Sequence, residues 1–119
     1  LLSRLQDWSA EQTIIRAQEI VQDNIHRLQQ TPKDIRASRA KSKWGSCTAK
    51  GVVHLHRRLY QLEPQALLYV VVHELAHLIH LNHSAQFWTE VQRLMPAYKE
   101  GQARLYQQQF PYSPGCSGG

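Results

Sequence analysis

Cysteine is scarce: Cys47 and Cys116 are the only two in 119 residues, too few for a disulfide scaffold. That scarcity fits a reducing compartment and predicts a cytoplasmic protein. Long apolar runs are missing too. No stretch of the ~18 apolar residues that a spanning helix needs is present, so a membrane is not an expected partner. The start does not read as a secretory leader, because polar Gln6, Asp7 and Ser9 follow Leu1-Leu2-Ser3-Arg4 without an apolar stretch. An initiator methionine is also lacking, as expected of a processed or shortened chain. Acidic residues are thinnest between Lys33 and Arg58, where Asp34 is the only one among eight basic residues (Lys33, Arg36, Arg39, Lys41, Lys43, Lys50, Arg57 and Arg58). That strip reads either as a solvated strand edge or as a surface attracting a nucleotide, nucleic acid or acidic peptide.

The residues that are present support one modest core. Hydrophobic residues make up 42% of the chain, and the charge sum is 14 minus 9, or +5, with seven histidines uncounted. The length suits a single domain, expected over 1–110. The Pro-, Gly- and Ser-rich stretch 111–119 is expected to be a mobile tail.

Periodicity outlines the elements. Ser9 with Gln12 reads as a capping box, and Ile14, Ala17, Val21, Ile25 and Leu28 recur at helical spacing. A helix over 9–30 is therefore expected, stopped by Thr31-Pro32. Alternation around Ile35 and Ala37 suggests a strand, Thr48-Ala49-Lys50-Gly51 a turn, and Val52 to His56 a returning strand paired antiparallel to the first. Residues 64–81 form a second expected helix, apolar on nearly every side and hence buried, with Pro64 tolerated in its first turn. A third helix is expected over 84–95, capped by Ser84 and stopped at Pro96, and a last polar helix over 98–110.

The buried helix contains His73-Glu74-Leu75-Ala76-His77. Polar residues inside an apolar helix are costly unless paired or ligated. Histidines four apart share a helical face, so both imidazoles can reach one metal ion, with zinc the usual choice. Glu74, beside the first of them, can act as general base toward a water. A catalytic zinc needs a third protein ligand. On an uninterrupted helix His80 shares the face. His83 qualifies instead if the helix ends first, which Asn82 and the N-cap Ser84 favour.

The segments Lys41-Ser42-Lys43-Trp44-Gly45-Ser46-Cys47 and His73 through Trp88 together resemble the YgjP-like family of metal-dependent hydrolases, relatives of the SprT-like and WLM zincin metallopeptidases. The likeness spans about residues 36 to 100. It implies zinc on His73, His77 and His83, with Glu74 as catalytic base. His80 falls where the family is variable and either lines the site or faces solvent. His56 stands where the family usually has Asn. His56 and His80 are candidate substrate contacts. The spacing from His77 to His83 equals that of metzincins, but His80 occupies their glycine position. Larger members also carry a substantial region before this domain.

The expected fold is α+β: a zincin-like single domain with a backing helix, a short, mostly antiparallel sheet, the HExxH helix and C-terminal helices. Trp44 is expected to pack under the HExxH helix and Gly45 to allow close backbone approach. Phe87 and Trp88 are expected to form core that fixes the bend, and Cys47 is not expected to be a nucleophile. Tyr98 reads as core or surface, with an oxyanion donor as the sharper alternative. Three functions follow: a zinc metallopeptidase acting on peptides, with Val52 to His56 as the strand that aligns an extended substrate; a metal-dependent hydrolase of nucleotides or phosphate esters; or a nucleic-acid-associated module whose metal is structural and closed by a fourth ligand such as His80.

Overall fold

The computed structural model describes residues 2–38 and 44–107, with side chains from Trp8 onward. The 111–119 segment, residues 108–110, Cys116, and Arg39, Lys41 and Lys43 of the basic strip lie outside the described residues. The chain runs through helix α1 (Leu2–Asp23), strands β1 (Asp34–Ser38), β2 (Gly45–Cys47) and β3 (Val52–His56), then helices α2 (Pro64–Ala76), α3 (Ala85–Leu94) and α4 (Tyr98–Gln107). This is a small α+β domain. Among the described residues no helix is long and apolar enough to cross a membrane.

α1 is displaced toward the N-terminus relative to the expected 9–30. Ser9 lies inside it rather than capping it, because no Gly or Pro between 2 and 8 interrupts helical propensity. The helix ends at Asp23, well before Pro32. There the Asn24 side chain donates to the Ile20 carbonyl at 2.8 Å, a local bond that competes with continued helix, and a single 3-10 turn follows over Ile25–Arg27. Thr13, Ala17 and Val21 form the buried stripe, and α1 lies against β1 and β3. Thr13 is fully buried; its hydroxyl donates to the Arg57 carbonyl at 2.7 Å and accepts from the Tyr60 N–H at 3.1 Å. One hydroxyl thus fastens α1 to the turn after β3.

The sheet is mixed, in the order β1-β3-β2. Strand β1 pairs parallel with β3 (Asp34 opposite Val52 through Ser38 opposite His56), which corrects the expected antiparallel pairing of these two segments. The antiparallel partner of β3 is β2, with Ser46 opposite His54. The 48–51 turn explains this. It reverses the chain immediately after β2, closed by Gly51 N–H to Thr48 carbonyl at 3.0 Å and Thr48 N–H to Val52 carbonyl at 2.9 Å. Gly51 has φ +89°, a conformation that side chains disfavour. A tight turn fixes the direction only of the strand directly before it, and β1 enters from the far side. Val52 to His56 is therefore the central strand, hydrogen-bonded on both flanks, and cannot be the substrate-aligning edge. Val53 and Leu55 point into the core, while His54 and His56 share the opposite face.

α2 is buried along ten of its 13 residues. Past Ala76 its backbone tightens: the amides of His77, Leu78 and Ile79 bond to the carbonyls of Glu74, Leu75 and Ala76, three residues back. The regular helix expected through residue 81 thus ends at Ala76, and the His80 side chain is not in the group that His73, His77 and His83 form. Ser84 caps α3 as expected, its hydroxyl accepting from the Phe87 N–H at 3.3 Å. α4 packs against α2 through Gly101, where a Cβ would stand 2.8 Å from the Gln65 carbonyl oxygen and 2.9 Å from Tyr69 Cβ.

Candidate metal centre

The end of α2 and the loop before α3 bring three imidazoles together. His73 and His77, one turn apart, are 3% and 2% exposed, whereas His83 in the loop is exposed. Their rings form a near-equilateral cluster, with centroids 4.9 Å (73–77), 5.1 Å (73–83) and 4.8 Å (77–83) apart. One ligand atom from each lies within 4.8 Å of the others. The Nε2 atoms of His77 and His83 are 3.1 Å apart. Two Zn–N bonds of about 2.05 Å at a tetrahedral angle would hold them about 3.3 Å apart, so this pair of donors fits a tetrahedral metal.

Hydrogen bonding prepares two of the three rings. His77 Nδ1 donates to the His80 carbonyl at 3.0 Å, which leaves the Nε2 lone pair for ligation. His73 Nδ1 lies 3.1 Å from Glu74 Oε2. Burial, the largest influence, lowers the pKa of both His77 and His83. At His83 the neighbouring His73 and His77 reinforce the shift; at His77 the Glu74 charge opposes it. Both groups are thereby biased to the neutral form that binds metals.

Glu74 is fully buried, and its Oε1 has no hydrogen-bond partner among the described residues. A buried oxygen without a partner costs about 1–3 kcal/mol unless something bound supplies one. Strand β2 holds the carboxylate from the other side. A Cβ on Gly45 would lie 3.2 Å from both Glu74 Cγ and Glu74 Oε2 and 3.1 Å from the His54 carbonyl oxygen. The close approach expected at Gly45 is thus realised against the glutamate itself. Trp44 is 2% exposed and meets His73 edge-on at 6.4 Å, as expected of a residue packed under this helix.

Aromatic rings complete the surround. Phe87 lies 4.5 Å from the His77 ring and 5.1 Å from the His73 ring. Tyr69, whose importance nothing in the sequence marked beyond apolar periodicity, sits 5.9 Å from His73, and its hydroxyl accepts from Gln102 of α4 at 3.1 Å. Cys47 is half-buried, and burial first, then the Glu74 charge, pushes its thiol up to about 11. It is thus a protonated packing group, not a nucleophile.

The other histidines stand apart from the cluster. His80 supplies its carbonyl to His77, but its side chain is not in the three-histidine group. His56 is buried at the end of β3, where its Nδ1 accepts from the Arg58 N–H at 3.1 Å. Arg36 of the basic strip is exposed and ion-paired with Asp34 at 2.8 Å on β1, with β3 between that strand and β2.

A three-imidazole cluster with an adjoining buried carboxylate, on a helix backed by a three-stranded sheet, defines the class: a small metallopeptidase-type domain. The sequence pattern of the YgjP-like metallopeptidase domain matches residues 1–108, and the chain belongs to that family. It is accordingly a metal-dependent peptidase by family. Two solved structures share the fold. The crystal structure of the metallopeptidase zymogen of Pyrococcus abyssi abylysin matches with a TM-score of 0.71 at 24% identity, covering 82% of this chain and 98% of that one. That of the metallopeptidase zymogen of Methanocaldococcus jannaschii jannalysin matches with a TM-score of 0.63 at 21% identity, covering 77% and 95%. No curated protein matches the sequence significantly.

Proposed function

We propose that this chain is a zinc peptidase in which His73, His77 and His83 hold the metal and Glu74 is the general base. The observation that carries the reading is the buried Oε1 of Glu74, without a partner among the described residues, beside three convergent imidazoles. When bound, zinc supplies a Lewis acid that lowers the pKa of water toward about 7 and polarises a scissile carbonyl. Glu74 Oε2 is engaged by His73, so Oε1 is the atom free to take a proton from water and later return it to the leaving amine. Gly45 and Trp44 hold that carboxylate and the first imidazole in place from the β2 side.

The substrate edge is β2 rather than β3. Trp44 carbonyl and Thr48 N–H bond to β3, so antiparallel alternation turns the amides of Gly45 and Cys47 outward. An extended peptide added there would run beside Glu74, with main-chain bonds aligning it. The placement of His80 supports an open metal site rather than a closed four-ligand one, and Arg36 sits on the opposite edge strand. Neither favours the phosphate-ester or nucleic-acid readings.

The test combines metal analysis with a peptide library and a nucleotide panel. Glu74→Gln should keep stoichiometric zinc and lose peptide hydrolysis by about 10²- to 10⁴-fold. His83→Ala should lose metal, and His80→Ala should keep it. Full activity in Glu74→Gln, or hydrolysis of nucleotides without peptides, would overturn the proposal.

A further inference from the structure

His83 differs from the other two imidazoles in how it is held. It lies outside any helix, it is exposed, and two residues before it Leu81 is 60% exposed. His77 Nδ1 has the His80 carbonyl and His73 Nδ1 has Glu74, but Nδ1 of His83 has no such bond among the described residues. Metal-binding imidazoles are ordinarily oriented by a bond at the second nitrogen. Here a stack of rings takes that place. The His83 ring lies over Trp88 at 6.0 Å and 29°, and Trp88 in turn lies over Tyr98 at 5.7 Å and 28°. Phe87 meets Trp88 edge-on at 4.9 Å and 87°, and His83 at 4.9 Å and 73°. Trp88 is therefore in stacked contact with both His83 and Tyr98 and meets Phe87 nearly at right angles.

We infer that Trp88, backed by Tyr98, is a positioning residue that orients His83 for the metal, so that the third ligand depends on the first turn of α4. This rests on the ligand set proposed above. An indole does this well because it is large, rigid and fixed by few torsions, and offset stacking restricts ring tilt without consuming a lone pair. Tyr98 thereby belongs to the column behind the third ligand rather than to the reacting centre. It acts through Trp88, at two rings' remove.

The experiment measures zinc affinity by chelator competition, and the visible absorption bands of the cobalt(II)-loaded protein, on the full chain. Trp88→Leu should weaken zinc about tenfold, the lower end for groups that orient a ligand, and shift the cobalt bands. Trp88→Phe should restore most of both, and Tyr98→Leu should move both in the same direction by less. His83→Ala is the reference for complete loss of the third ligand. If Trp88→Leu keeps wild-type affinity and bands while His83→Ala loses metal, the inference fails and the ligand set stands. If His83→Ala also binds normally, the ligand set fails and takes the inference with it. Should Trp88→Leu not fold, wild-type affinity and bands in Tyr98→Leu would overturn the inference.

Discussion

Replacing Gly45 with alanine tests whether the sheet sets the position of Glu74. The added Cβ would stand 3.2 Å from Glu74 Cγ and Oε2 and 3.1 Å from the His54 carbonyl oxygen, against the ~3.5–4.0 Å at which such contacts are favourable. The His54 carbonyl belongs to the central strand, bonded on both sides, so it does not yield. Glu74 must move instead, by roughly 0.3–0.8 Å. Misplacing a reacting group by about 1 Å costs on the order of 10²-fold, so kcat should fall about 10- to 100-fold with zinc content unchanged. Overpacking costs about 1–3 kcal/mol, offset by about 0.4–1 kcal/mol from the stiffer unfolded chain. The net loss should lower Tm by on the order of 5–10 °C. Gly101→Ala is the contrasting variant: its Cβ would meet Gln65 oxygen and Met95 Cε at 2.8 Å, a harder clash away from Glu74, and should cost more stability while leaving kcat per folded molecule intact. The assays are peptide hydrolysis at 25 °C, metal analysis and calorimetry. Wild-type kcat in Gly45→Ala alongside a lowered Tm would refute the argument, leaving Gly45 a packing residue only.

Thr13→Val keeps the side-chain shape but strips the Arg57 carbonyl and the Tyr60 N–H of their partner. At about 1–3 kcal/mol for each buried unsatisfied group, urea denaturation should show a loss of roughly 2–4 kcal/mol, and a change below 0.5 kcal/mol would place both groups in contact with water. His56 supplies a pH effect. Burial first, then Arg58 and Arg57, lowers its pKa below the ordinary ~6.5, so the unfolded chain binds more protons just below that value and stability falls with falling pH. In the metal-free protein the urea midpoint should therefore be lower at pH 5.5 than at 7.5. His56→Asn should reduce that difference, and an unchanged difference would remove His56 as a contributor.

The three-histidine group is legible in the sequence because its signal is local. His73, Glu74 and His77 sit within five consecutive residues, and Ser84 announces the new helix that brings His83 round. The choice between His80 and His83 is not legible from spacing alone, since it turns on where α2 ends and how the chain bends before α3. The parallel pairing of β1 with β3 is hidden for a related reason. Alternation marks a strand but not its neighbour, and the turn at Gly51 binds β3 to a three-residue strand too short to stand out. The start of α1 is hidden because Ser9 and Gln12 match a cap pattern that the helical propensity of the preceding residues overrides. Pairings such as Thr13 with Arg57 or Gly45 with Glu74 join residues some 30 to 45 positions apart, and no periodicity encodes them.

The separation between Gly45 and Glu74 has a consequence for the order of assembly. All three imidazoles lie within eleven consecutive residues, so closing the loop that gathers them costs little chain entropy and needs only α2 and its following bend. Setting the glutamate needs β2, a contact of much longer sequence separation and so a slower one to form. On the proposed ligand set, a partly folded chain would be able to gather its three imidazoles before Glu74 is set. On the proposed roles, competence for hydrolysis would come last, when the sheet closes over the helix.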